Sequence, residues 1–132
     1  CACLVGSEMC IRDSKSIDAD FGLVWDGDSL DTCSGEYGQY LKWNSPHKVS
    51  FYLRAGLPLI IWKEAAVAPI IEEAGAGIAI NSLKELDEKL ANLTFDDIAN
   101  LKQNAKRLAE RLNHGHFLRQ ALDIYFSTHQ QR

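Results

Sequence analysis

Long apolar runs are absent from this 132-residue chain: the longest, Leu57 to Trp62, is far short of the ~20 residues that a membrane-spanning helix needs. No segment is therefore a candidate to cross a bilayer as a helix. An excess of basic charge is absent too. Fourteen Lys and Arg stand against 18 Asp and Glu, a formal net charge of −4. Nucleic-acid-binding domains cluster Lys and Arg to neutralise phosphates, so this balance argues against a nucleic-acid partner. GxGxxG, Walker, HExxH and GxSxG motifs are all missing, which removes the commonest dinucleotide, NTPase, metalloprotease and hydrolase readings. Cysteine spacing suited to a disulfide framework or a zinc site is missing as well. The four cysteines sit at positions 1, 3, 10 and 33, with no CxxC or HxxxH pair to set ligands around a tetrahedral zinc. Neither a metal nor another cofactor is expected.

What is present is an ordinary globular balance, 46% hydrophobic and 24% charged, in a length that suits one domain with a real core. The opening, CACLVGSEMCIRDS, resembles a translated sequencing-adapter read-through of the kind found at the ends of metagenomic reading frames, and the run SEMCIRDS carries that resemblance. Residues 1–14 are accordingly expected to be a non-native extension, set aside from fold reasoning, and residues 15–132 the domain proper. Three cysteines lose their meaning with that opening. The fourth, Cys33 beside a Ser-Gly turn, is expected to be inert.

From Phe21 the text FGLVW is a short apolar run bounded by Asp18, Asp20 and Asp26-Gly27-Asp28, the pattern of a buried parallel strand. Residues 26–40, rich in Asp, Ser and Gly without apolar period, read as a long loop. Asn44-Ser45-Pro46 supplies an N-cap candidate and a proline near the first helical position. A helix of about ten residues follows, with Val49, Leu53 and, on the flank, Tyr52 as its apolar face and Ala55-Gly56 as its stop.

Leu57 to Trp62 is the next strand, Lys63-Glu64-Ala65-Ala66 the turn leaving it, and Val67, Ile70, Ile71 and Ala74 space a short helix ended by Gly75. Gly77 to Ile80 makes a third strand. Then come a short helix, Leu83 to Leu90, and a longer one opened by a capping-box-like pair, Thr94 and Asp97. Its stripe of Ile98, Leu101, Ala105, Leu108 and Leu112 is expected to lie on the sheet. After Asn113-His114-Gly115 a last helix, His116 through Phe126, carries Phe117, Leu118, Ala121, Leu122 and Tyr125 before fraying in STHQQR. Alternating short strands and helices predict an α/β fold: a Rossmann-like parallel sheet with helices on both faces.

In such a sheet ligands bind beyond the carboxyl ends of the strands. The loop after Trp25, the NSPHK helix start and the turn WKEAA all land there. The helix start is the strongest signal, because unpaired N–H groups and the positive end of the helix dipole form an anion site. His47 and Lys48 in its first turn place cationic groups at the end cations normally avoid, and a phosphate or diphosphate would offset them. Asp26, Asp28, Asp31 and Glu36 cluster in the first loop, as a solvated surface or with one of them a sugar-hydroxyl acceptor or general base. Tyr37, Tyr40 and Trp43 are either core anchors or platforms for a base or sugar.

The run YLKWNSPHKVSFYLRAGLPLIIWKEAAVAPIIEEAGAGIAINSLKEL, with DFGLVWDG before it, resembles the C-terminal domain of bacterial sugar transferases, the β-1,6-galactofuranosyltransferases and their glucosyltransferase relatives. DFGLVWDG, NSPHK, YLRAGLP and GIAINSLKEL carry the resemblance, which covers roughly residues 17 to 126. It implies the GT-B architecture, two Rossmann-like domains across a cleft, this one holding a UDP-sugar and a missing N-terminal domain holding a glycan or glycoprotein acceptor.

By the same resemblance Asn44, Ser45, Pro46, His47 and Lys48 approach the diphosphate; Lys63, Glu64, Ala65 and Ala66 face the nucleotide or sugar; and Asp26 and Tyr40 line the cleft. It implies a metal-independent hexosyl transfer, of galactofuranose or glucose, by a cytoplasmic enzyme at the inner face of the membrane, and leaves room for a homo-oligomer. Catalytic residues of the missing half are not assignable, and this piece alone is expected to be inactive. SPHK stands where larger GT-B relatives have an acidic residue and a Gly-rich loop, so ribose recognition by a Glu stays open.

Two other classes share the fold. A nucleotide-sugar epimerase needs a Gly-rich dinucleotide loop that is not here. A flavodoxin-like binding or regulatory module would explain the sheet without cleft chemistry, although a phospho-acceptor receiver would need an Asp between Ala66 and Ile80, where there is none.

Overall fold

The computed structural model describes residues 19–129; the reading of the opening segment as non-native lies outside them. Three short strands, β1 (Gly22–Val24), β2 (Leu59–Trp62) and β3 (Gly77–Ile80), form one parallel sheet in the order β1-β2-β3. Leu23 pairs with Ile60, and Ile60 with Ile78. Between β1 and β2 lie α1 (Gly35–Tyr40) and α2 (His47–Arg54), and between β2 and β3 lies α3 (Ala68–Glu73). A 3-10 turn (Leu83–Glu85) leads into α4 (Leu86–Ala91), α5 (Phe95–Asn113) and α6 (His116–His129). The fold is the predicted α/β, Rossmann-like one.

Parallel strands joined by crossover helices are covered on both faces, and the alternation of β2 shows it. Leu59 and Ile61 enter a core with Val24, Val49, Tyr52, Leu53, Ile71 and Ala79. Ile60 points the other way, with Ile80 and Phe21, onto Leu83, Leu86, Leu90, Ile98 and Leu101. Leu59, Ile60 and Ile61 are fully buried, and each such side chain contributes about 1.5–3 kcal/mol by leaving water. The stripe on α5 is not confined to one side of the sheet. Ile98 and Leu101 join the second core, while Ala105, Leu108, Ala109 and Leu112 join the first, packed chiefly against α2. The stripe expected on the sheet thus divides between the two cores.

The stops before β2 and β3 use the same device. After α2, Gly56 at φ 75° donates to the Leu53 carbonyl and Leu57 to that of Tyr52. After α3, Gly75 at φ 62° donates to Glu72 and Ala76 to Ile71. This is the Schellman pattern, in which a left-handed residue turns the chain and satisfies the last carbonyls, and glycine adopts it without a Cβ penalty. At the start of α5, Thr94 and Asp97 form the expected reciprocal box, with the Thr94 N–H donating to Asp97 Oδ2 at 2.9 Å and the Asp97 N–H to Thr94 Oγ1 at 3.2 Å. The Thr94 N–H and hydroxyl, both donating to Asp97 Oδ2, hold the Asp97 carboxyl below its ordinary range.

Four local readings need correction. Residues 26–40 are not all loop, because α1 closes them; Gln39 Nε2 reaches the Cys33 carbonyl at 3.0 Å, and the burial of Cys33 and Leu41 anchors its ends. The cap expected from Asn44-Ser45 is not made: Pro46 itself occupies the N-cap in extended conformation, no side chain caps the helix, and α2 has eight residues. The short helix after β3 opens as a 3-10 turn whose Lys84 N–H donates to Ser82 Oγ. The last helix does not fray at Phe126, since the Ser127 and Thr128 hydroxyls back-bond to the Ile124 carbonyl and it continues to His129. Leu118, Leu122 and Tyr125 on it are exposed, so they serve no core here.

Candidate functional site

The carboxyl ends of the three strands release the chain into loops that are tied to one another. The Lys63 N–H, just past β2, donates to the Ile80 carbonyl at the end of β3 (2.9 Å). Leu30, in the loop after β1, accepts from the Leu83 N–H (2.8 Å) and from Ser82 Oγ (2.9 Å), both just past β3. The Ala66 N–H donates to the Leu41 carbonyl (2.9 Å), fastening the turn after β2 to the end of α1. Trp25 Nε1 donates to the Ser29 carbonyl and curls the first loop on itself. The ligand-binding edge of a parallel sheet is thereby one connected surface.

Three ion pairs cross it. Lys48 Nζ in the first turn of α2 lies 3.2 Å from Asp26 Oδ1 in the loop after β1, both side chains about one-third exposed. Lys42, between α1 and α2, sits 2.9 Å from Glu64 Oε2 and 5.4 Å above the centre of the Trp62 ring, a cation–π contact. Lys84 and Asp31 pair at 2.7 Å in the open, where solvent screens the attraction most. Each loop at the strand ends therefore carries one partner of a pair whose other half lies in a different segment.

Of the residues singled out above, Asp26 and Lys48 meet directly, and Glu64 meets Lys42. Pro46 starts α2, and its carbonyl accepts from the Val49 N–H at 3.0 Å. Asn44 is half-buried, and its N–H donates to the Tyr40 carbonyl. Ser45, His47, Lys63 and Ala66 are exposed. Ala65 is buried in the core and offers this surface only its backbone. Tyr40, at 59% exposure, stands with Tyr37 and Trp43, at 82% and 83%; none of the three is a core anchor.

Sequence reasoning missed Lys42, Lys84 and Ser82, since nothing in their local context marks them, although Lys42 lies between the flagged Tyr40 and Asn44. Cys33 is fully buried and its thiol is pushed up by that burial, with a backbone hydrogen bond at Asp26 opposing the shift, as suits an inert residue. Among the described residues no three His, Cys, Asp or Glu side chains are grouped to hold a metal ion.

What this edge can do is hold an anion. The α2 start has no side-chain cap, so first-turn N–H groups remain for an outside acceptor, and Lys48 adds a positive charge beside them.

Comparison with known proteins places the chain in a family. The glucosyltransferase 3-like C-terminal domain family matches residues 11–124. The beta-1,6-galactofuranosyltransferase WbbI of Escherichia coli (strain K12) is 42% identical over 103 residues, 78% of this chain and 31% of that protein. Glucosyltransferase 3 of Streptococcus gordonii is 29% identical over 101 residues, covering 76% of this chain and 29% of the relative. Its namesake in Streptococcus parasanguinis is 29% identical over 102 residues, covering 77% and 29%. The chain thus spans about a third of the length of the curated relatives it matches. With nearly all of its residues inside one family's match, this chain belongs to the glucosyltransferase 3-like C-terminal domain family.

Proposed function

We propose that this domain holds the nucleotide-sugar donor of a glycosyltransferase whose acceptor-binding half precedes it in the longer protein. The observation that carries the proposal is the uncapped start of α2 at the carboxyl edge of the sheet, with Lys48 in its first turn. Named glycosyltransferases among the relatives support the reaction class. The donor is a UDP-sugar, the transferred group a hexosyl unit, galactofuranose or glucose, and the acceptor a glycan or glycoprotein. The bond between the anomeric carbon and the diphosphate oxygen breaks and the electron pair stays on the diphosphate. The acceptor hydroxyl oxygen takes the anomeric carbon and loses its proton to solvent or a base.

The protein's contribution here is leaving-group stabilisation: N–H groups of the α2 start and the Lys48 ammonium meet the charge that grows on the diphosphate. In this reading those groups take the part a metal plays in other transferases. The remaining elements of the proposal are a cytoplasmic enzyme at the inner face of the membrane, homo-oligomeric at full length. Among the described residues no helix is long and apolar enough to cross a membrane.

Calorimetric titration of the chain with UDP tests the donor site. Saturable binding is expected, weakened by about 1–3 kcal/mol in Lys48→Ala, the range for a hydrogen-bond partner removed. A folded chain that binds no UDP, or a Lys48→Ala variant that binds it unchanged, would refute the assignment.

A further inference from the structure

Lys48 does not face an anion alone. Its ammonium has three N–H donors, and one is taken by Asp26 Oδ1 at 3.2 Å. An anion held by another of those donors lies within two hydrogen-bond lengths, about 6 Å, of the Asp26 carboxylate. The pair is about one-third exposed on each side, so screening there is incomplete. Lys42 and Lys84, the other paired cations of this edge, have their own carboxylates, Glu64 and Asp31. Asp26 is thus the negative charge that shares a cation with the bound ligand.

We propose that Asp26 is a specificity-determining residue that loosens the hold of the site on the free nucleoside diphosphate relative to the nucleotide sugar, favouring product release after transfer. The inference rests on the donor-site reading given above. When the sugar leaves, the electron pair of the broken bond stays on the diphosphate, and its terminal phosphate gains a second ionisation, with a pKa near 6. At pH 8 UDP therefore carries one more negative charge than UDP-sugar. Asp26 repels both, and it repels the product by that additional unit. At about 6 Å one unit charge is worth about threefold in affinity with full water screening and about tenfold at half that dielectric constant.

The experiment is calorimetric titration of the chain and of Asp26→Asn at pH 8 with two probes, UDP and UDP methylated on its terminal phosphate. The methyl ester has the charge of a nucleotide sugar and commits to no particular sugar. The affinity ratio of UDP to its methyl ester is expected to rise about three- to tenfold in Asp26→Asn and by less at high salt, since the effect is electrostatic. Asp26→Ser, checked for folding by circular dichroism, repeats the test should Asn disturb the loop.

A ratio that stays constant while both probes bind would overturn the inference and leave the donor site standing. So would equal weakening of both probes, the mark of a residue that only positions Lys48. Failure of the unaltered, folded chain to bind either probe would overturn the donor site itself, and this inference with it.

Discussion

Capping the start of α2 should strengthen the fold and weaken the ligand site together. Pro46 is the N-cap and offers no side-chain acceptor, although its extended backbone, φ −66° and ψ 145°, is one that a capping Asp adopts. In Pro46→Asp the carboxylate would accept the N–H of Lys48, since that of Val49 already donates to the carbonyl of residue 46. Pro46→Ala is the proper reference, because it removes the proline ring's effect on the unfolded chain from the comparison.

Relative to Ala, an N-cap Asp contributes about 0.5–2 kcal/mol through its hydrogen bond, and its charge near the positive helix end about 0.3–1 kcal/mol more. With a urea slope of about 1–3 kcal/mol per molar, the unfolding midpoint should rise by about 0.3–3 M, and by about 1 M at the middle of both ranges. The same carboxylate occupies the amides assigned to the diphosphate and sets a like charge near 4 Å from it, costing about 1–4 kcal/mol, at least about fivefold in Kd. Urea titration followed by tryptophan fluorescence, and calorimetry with UDP, read the two effects. The reasoning fails if Pro46→Asp is stabilised and still binds UDP as tightly as Pro46→Ala, for then the α2 start is not where the diphosphate sits.

The Asp97 carboxyl, held low by the Thr94 N–H and hydroxyl, is a depressed acid, so its stabilising effect is present above its unfolded pKa and is lost as pH falls through the folded one. Asp97→Ala should therefore lower the urea midpoint at pH 7, and the difference from the unaltered chain should shrink as pH drops below about 4. Cys33, buried and with its thiol raised, should resist alkylation at pH 8 in the folded chain and react once urea is added, as peptide mapping of that one site would report. Rapid labelling of Cys33 in the native state would contradict its burial.

Locally encoded features were legible. The Thr94–Asp97 box needs residues three apart, and the glycine stops after α2 and α3 need only a left-handed residue where an apolar period ends. β2 was legible because four consecutive apolar residues suit a strand covered on both faces. The GEYGQY helix was not, since two glycines in six residues disfavour helix locally and the surrounding contacts, Gln39 on the Cys33 carbonyl and buried Leu41, overrule that preference. The α2 cap was missed because the helix starts later than Asn44-Ser45 suggests: it begins at His47, so Pro46, which has no side-chain acceptor, takes the cap position.

The amino-acid sequence by itself determined the alternation of strands and helices, the parallel sheet, and Lys48 in the first turn of a helix that starts at the sheet's carboxyl edge. Such signals act over a few residues, through hydrogen-bond geometry and the periodicity of apolar side chains. Only the tertiary structure decided which charges meet. Asp26 and Lys48 are 22 residues apart, Lys42 and Glu64 lie on opposite sides of a helix and a strand, and α5 divides its stripe between two cores. No local preference encodes these pairings, because distant segments are brought together by burial of the two apolar faces, and the charges at the strand ends find their partners where that burial places them.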